Sequence, residues 1–244
     1  MNTHSPTPDA TPPEGSAALS WHTSEHAEQL AQALAETVAR DLRVAIDARG
    51  QAGMALSGGS TPKRFMEQLA RCALDWSKVV VTLVDERWVP PEHPRSNAGL
   101  LRKHLLHGPA AQAQFVPLYA HAPTPENGLP RVATRLDALD LPLDVVVLGM
   151  GEDGHTASFF PEGDHLRQAL DPNGSARVLP MRAPGADEPR ITLSLPVLVQ
   201  ARALYLLIEG DAKRRVLEQA MDDAELPIGA VLQHAPDLQT YWCP

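Results

Sequence analysis

The chain has 244 residues, with 21 Lys and Arg against 30 Asp and Glu for a formal charge of −9, and only 5% of its residues are aromatic. That length supports one large α/β domain or two small ones around a sizeable core, while the acidic balance and the scarcity of rings exclude a basic or stacking surface for nucleic acid. Two cysteines, Cys72 and Cys243, make neither a disulfide framework nor a structural zinc site, and no apolar run approaches the roughly 18 residues of a membrane span.

Residues 1–18 are rich in Pro, Ser and Thr and carry no periodic apolar pattern, so they read as a disordered tail. No basic segment leads into an apolar run there, and the expected location is cytoplasmic. From residue 24 to 48 the pattern changes. Leu30, Leu34, Val38, Leu42 and Ile46 recur every four residues, one apolar stripe on a long helix with Ser24 as its expected N-cap.

Beyond it the chain alternates. Apolar, β-rich runs stand at 54–56, 79–84, 143–148 and 203–208, with weaker ones at 176–179, 191–193 and 238–242. Helical patterns lie at 62–74, 97–106, 131–139 and 211–221, and Pro-rich loops at 120–129 and 182–189. Continuous apolar strands separated by helices predict a doubly wound, mostly parallel sheet covered on both faces, in a single domain over 19–244. Such sheets bind ligands beyond the carboxyl ends of their strands, so the segments that follow the strands carry the functional reading.

After 54–56 comes Ser57-Gly58-Gly59-Ser60-Thr61-Pro62. Two glycines allow close backbone approach, Thr61 suits an N-cap and Pro62 the first helical position. Free N–H groups, hydroxyls and a positive helix end together form a phosphate cradle. The bland alternative is an ordinary strand-to-helix turn, which needs only one glycine. No Gly-Lys-Ser/Thr follows, so this is not a Walker loop, and Gly-x-Ser-x-Gly is absent, so Ser60 reads as a phosphate ligand and not as a nucleophile.

Asp85-Glu86-Arg87 ends the next strand. Arg87 offers a planar fork to a phosphate or carboxylate, Asp85 can hold a hydroxyl or act as a base, and Ser96 and Asn97 can cap the following helix or bind a polyol. As single residues, any of these is more commonly a solvated loop charge. After 143–148, Gly149, Gly151 and Gly154 satisfy G-x-G-x-x-G in form, but Pro161 and Gly163 interrupt any long helix and no acidic residue ends the next strand, so a nicotinamide site is discounted. His155 is the sharper signal, with Asp153 two residues before it to fix its tautomer; an imidazole of ordinary pKa near 6.5 can take a proton from water at neutral pH. His104 and His107, three apart on a helix, read as surface residues, and no metal or cofactor is expected. After 203–208, Asp211 is the expected N-cap, which puts Lys213 in a first turn where it opposes the helix dipole unless an anion sits beside it.

These blocks, at 56–62, 85–90 with Ser96-Asn97, 149–158, and Gly210 with Lys213, resemble in type and order those of 6-phosphogluconolactonases. The wider superfamily includes glucosamine-6-phosphate deaminases, similar in the Gly-Ser-Thr-Pro and Asp-Gly-His blocks. The resemblance implies a Rossmann-like domain that hydrolyses a small-molecule sugar-phosphate lactone, 6-phospho-D-glucono-1,5-lactone, as a monomer or homodimer. His155 would activate water with Asp153 and Arg87 assisting, and Ser57, Gly58, Gly59, Ser60, Thr61, Asp85, Ser96, Asn97 and Lys213 would bind substrate. The competing expectations are an amino-sugar deaminase or isomerase on the same scaffold, and a non-catalytic sugar-phosphate sensor.

Overall fold

A computed structural model describes residues 19–222 and 225–244; the tail expected at 1–18 lies outside the described residues. The chain opens with β1 (Ser20–Thr23) and α1 (Ala27–Arg49). The stripe read from the sequence is buried along α1, with Ala31, Ala35, Ala39 and Ala45 between its larger members; their small side chains let α1 lie close against its neighbours. Helix α1 starts later than expected, with His26 and not Ser24 at its N-cap position, because the Ser24 N–H is still paired with Trp242 O at 3.1 Å. It stops at Gly50, whose φ of +80° lets its N–H return to Ile46 O at 2.7 Å.

Next come β2 (Ala52–Leu56), α2 (Pro62–Ala70), β3 (Val79–Leu83), β4 (Asp85–Arg87), α3 (Asn97–His104) and β5 (Gln114–Phe115). Helix α4 (Pro125–Arg135) occupies part of the stretch expected to be loop: Thr124 caps it by accepting the Asn127 N–H at 3.3 Å, with Pro125 at the first helical position. Then follow β6 (Val145–Leu148), α5 (Leu166–Ala169), β7 (Val178–Met181), β8 (Arg190–Leu193), α6 (Leu195–Val199), β9 (Ala203–Glu209), α7 (Asp211–Ala220), α8 (Pro227–His234) and β10 (Gln239–Cys243).

Seven strands form one sheet in the order β1-β10-β9-β6-β2-β3-β5, and every pairing in it is parallel. Each residue of β2, β3 and β6 is buried, as a parallel sheet covered on both faces requires. The chain builds outward from β2 through β3 to β5, then returns on the other side of β2 with β6 and continues through β9 to β10. The order therefore reverses between β2 and β6, and the crevice above their carboxyl ends is the switch point where such sheets bind ligands.

The sequence did not announce a second sheet, in which β4, β8 and β7 pair antiparallel. The charged run at 85–87, expected to end the preceding strand, is instead its first strand. It pairs Asp85 with Thr192, Glu86 with Ile191 and Arg87 with Arg190, so three charges sit on a fixed framework beside the crevice.

Candidate active site

Four carboxyl ends meet at the crevice, those of β9, β6, β2 and β3. A cavity of about 210 Å³ lies over them, lined by Ser57, Gly58, Gly59, Ser60, Thr61, Asp85, Arg87, Asn97, His155 and Lys213, together with Arg190 and residues of the 149–157 loop. A larger groove, about 580 Å³, opens at the opposite end of the sheet. Its arginines are already paired: Arg49 and Arg202 with Asp144, and Arg40 with Asp41. The smaller cleft is the one with cationic groups to spare.

Its first wall is the turn after β2. Ser57 Oγ accepts the Gly149 N–H at 2.9 Å, which ties the ends of β2 and β6 together across the switch point and leaves the Ser57 proton to be donated. Asn97 lies so close to Gly58 that a Cβ there would stand 1.9 Å from its Oδ1; only glycine fits. Gly59 has φ +109°. Thr61 occupies the N-cap position of α2 but has helical φ and ψ and makes no capping hydrogen bond. Among the described residues nothing takes the N–H groups of Gly58, Gly59, Ser60 and Thr61, so the positive end of α2 is open to an anion. Arg64 in the first turn of α2 approaches Glu209 at the end of β9, 3.9 Å away, which sets that turn beside the first turn of α7. There Gly210, and not Asp211, is the N-cap position, Asp211 being the first helical residue. Lys213 has no ion pair among the described residues and lines the cleft.

The opposite wall comes from β4 and the start of α3. Asp85 is buried; its Oδ2 accepts from Ser158 Oγ at 2.6 Å, and its backbone carbonyl accepts from Asn97 Nδ2 at 3.0 Å. Asn97 Oδ1 is buried without a partner. Glu86 points the other way and is wholly buried. Its Oε1 accepts the N–H groups of Arg87 and Asn97, and its Oε2 those of Ala98 and the Ser96 hydroxyl, at 2.7 to 3.1 Å. Burial pushes its carboxyl up to about 7, against the pull of the three backbone donors. One buried carboxylate thus satisfies the start of α3 and fixes Arg87 and Asn97 on either side. Ser96 caps α3 by accepting the Gly99 N–H at 3.0 Å and does not line the cleft; with its proton donated to Glu86, it supports the wall instead of contacting a ligand.

His155 stands between the walls, on the loop after β6. The loop closes on itself through Gly151 N–H to His155 O at 2.9 Å and Thr156 Oγ1 to Gly149 O at 2.8 Å. A Cβ at Gly151 would meet the His155 ring at 2.3 Å, so the glycine is needed for the imidazole's position and not for a dinucleotide; no helix follows it. Asp153 Oδ1 lies 2.5 Å from His155 Nδ1 and also accepts the His155 N–H at 3.2 Å. The hydrogen bond from His155 holds the Asp153 carboxyl below its ordinary value. An ionised Asp153 requires the proton on Nδ1, which leaves the lone pair of Nε2 free. Phe160 stacks on the other side of the imidazole with ring centres 4.5 Å apart. Asp153 itself does not line the cleft.

Sequence reasoning missed Arg190, Phe160, Ser158 and the role of Glu86. Of the two histidines expected at the surface, His107 is exposed and His104 is partly buried, its Nδ1 paired with Glu67 at 2.7 Å. Among the described residues no three His, Cys, Asp or Glu side chains gather as a metal site.

Residues 25–242 match the family model of glucosamine-6-phosphate isomerases and 6-phosphogluconolactonases. The chain belongs to that family. Family members similar to it include the 6-phosphogluconolactonase of Rhizobium meliloti, 53% identical over 91% of this chain and 98% of that protein. Another is the 6-phosphogluconolactonase of Pseudomonas aeruginosa, 46% identical over 89% and 92%. Among solved structures, a 6-phosphogluconolactonase from Shewanella baltica superposes with a TM-score of 0.89 at 36% identity, covering 93% of this chain and 98% of that one. A monomeric glucosamine-6-phosphate deaminase shares the fold at 18% identity, with a TM-score of 0.72 over 92% and 97%.

Proposed function

We propose that the chain hydrolyses 6-phospho-D-glucono-1,5-lactone to 6-phospho-D-gluconate. The observation that carries this reading is the His155–Asp153 pair, whose imidazole, with Nε2 free, lines a cleft with an open anion cradle and, among its described lining residues, no activated nucleophile. Water is the attacking group. Nε2 takes a proton from it as its oxygen bonds to C1, and Asp153 stabilises the imidazolium that forms. Arg87 or backbone N–H groups hold the charge on the carbonyl oxygen. The bond from C1 to the ring oxygen then breaks, and the imidazolium returns its proton to that oxygen. Binding of the phosphate by Gly58, Gly59, Ser60, Thr61 and Lys213, with Ser57, Asp85 and Asn97 at the sugar, supplies energy that positions the ring.

A δ-lactone opens unaided in water, so one base and good placement suffice. All the named residues come from one chain, which accords with a monomer or a homodimer of independent sites. A cytoplasmic location accords with two unpaired thiols, Cys72 and Cys243; among the described residues no helix is long and apolar enough to cross a membrane.

The test is opening of freshly made 6-phosphogluconolactone with the spontaneous rate subtracted. A rate above background supports the assignment. Ammonia release from glucosamine 6-phosphate with no lactone opening replaces it with the deaminase reading, and sugar-phosphate binding with neither reaction replaces it with the sensor.

A further inference from the structure

Arg87 and Arg190 are direct cross-strand partners of β4 and β8, and both line the cleft. Like charges set directly opposite each other on a sheet repel, and burial worsens this. The Arg190 side chain is only 11% exposed. Neither guanidinium is fully partnered. The Nε atoms of both are buried without a hydrogen bond, Arg87 spends one Nη on Arg95 O at 2.6 Å, and Asp85 stands 3.8 Å from Arg190, beyond hydrogen-bond reach. Asp85 is in any case engaged by Ser158. Desolvation, opposed by the Asp85 charge and helped by that of Arg87, lowers the pKa of Arg190. The second sheet therefore holds two crowded, under-satisfied cations at the cleft, an arrangement that an anion between them would relieve.

Their position says which anion. Lys213 follows β9 and the arginines stand just beyond β3. With β6 and β2 between, β9 and β3 are three strand intervals apart, about 14 Å. Long side chains reach inward from both flanks, so the cleft has two cationic ends. The open start of α2 belongs to the Lys213 end, beside Glu209. The arginine end belongs to the base, because Phe160 carries the His155 ring on it at 4.5 Å and the Arg190 guanidinium at 5.2 Å. A ligand with its phosphate at Lys213 has its reacting carbon near His155 and its carbonyl oxygen toward Arg190.

We infer that Arg190 joins Arg87 in a second anion site, which holds the oxyanion formed at the lactone carbonyl and then the C1 carboxylate of the opened product. This rests on the hydrolytic reading above. Water oxygen bonds to C1, the ring oxygen leaves with the proton, and the acid formed at C1 loses its proton to solvent, so the product carries an anion at each end.

The experiment compares two ligands by calorimetry on wild type, Arg190→Met and Arg190→Lys. One is 6-phospho-D-gluconate, which has both anions. The other is 1,5-anhydro-D-glucitol 6-phosphate, which keeps the ring and phosphate but has no exocyclic oxygen at C1. Arg190→Met is expected to weaken the first by about 10- to 100-fold, the range of a charge-assisted hydrogen bond, and the second by less than about twofold. Retained binding of the second also shows that the variant is folded. Arg190→Lys keeps the charge without the fork and falls between; it carries the same comparison should the Met variant not fold. Equal weakening of both ligands, or of neither, in a chain that opens the lactone overturns the inference alone. A wild type that binds both ligands and opens no lactone overturns the hydrolytic reading, and with it the oxyanion role, whatever the Arg190 variants do to binding.

Discussion

Gly58→Ala tests the packing on which the cleft depends. A Cβ at this position would lie 1.9 Å from Asn97 Oδ1, 2.2 Å from its Cγ and 2.7 Å from its Nδ2. Ordinary contact begins near 3.4 Å, so the amide would have to retreat by about 1.5 Å. It has nowhere to go, being 2% exposed and tied through Nδ2 to the Asp85 carbonyl at 3.0 Å. Overpacking of this kind costs roughly 1–3 kcal/mol, and loss of the buried bond to Asp85 adds about 1–2, so a destabilisation of about 3 kcal/mol is expected. Urea unfolding measures it. Asn97→Ala removes the obstructing amide, so the double variant Gly58→Ala/Asn97→Ala should be more stable than the sum of the singles predicts, by about 1–2 kcal/mol. A Gly58→Ala protein as stable as wild type, with no coupling to Asn97, would refute the close approach.

Glu86→Gln leaves two buried donors facing an amide NH₂ in place of a carboxylate oxygen. It should destabilise by about 2–4 kcal/mol and reduce turnover as Arg87 and Asn97 lose their common anchor; an unchanged unfolding midpoint contradicts this. Lys213→Ala should raise KM for the phosphorylated lactone by roughly 10- to 100-fold with a smaller effect on kcat. Wild type should strongly prefer the phosphorylated lactone over plain gluconolactone, and equal rates on the two would remove the phosphate cradle from the account. Arg182 holds the Glu126 carboxyl down at about 2. A depressed carboxylate stabilises above its unfolded pKa near 4.5 and loses that contribution as pH falls toward 2. Both side chains are nearly half exposed, so wild type should exceed Glu126→Gln by less than about 1 kcal/mol at pH 5, with the gap closing on acidification. A gap that stays constant to low pH contradicts the pairing.

The parallel core was legible because strands buried on both faces read as nearly continuous apolar runs, as at 54–56, 79–84 and 145–148. The main blocks of the cleft were legible because the functional loops follow those strands. Less visible was what depends on distant pairing. Residues 85–87 become a strand only because β8, more than 100 residues later, lies opposite, and their consecutive charges mimic a loop. Arg190 has no local signal at all: it is a charge at the end of a Pro-rich stretch until its partner on β4 is known. β1 was hidden because four residues, only one of them partly covered, carry little pattern; its pairing with β10 is what delays the start of α1. Ser96 and Asn97 were left open between cap and ligand, and the backbone separated them. The Ser96 hydroxyl turns to Glu86 and Gly99, while the Asn97 amide turns to Asp85 and the cleft.

His155 is the centre of the account, and one comparison tests it most directly. Proton release from fresh 6-phosphogluconolactone is followed with wild type and with His155→Ala, alongside calorimetric binding of 6-phosphogluconate to both. A general base that acts only on the reacting water predicts a fall in kcat of roughly 10²–10⁴-fold with product affinity nearly unchanged. A variant that retains wild-type turnover would show that the proton is taken elsewhere.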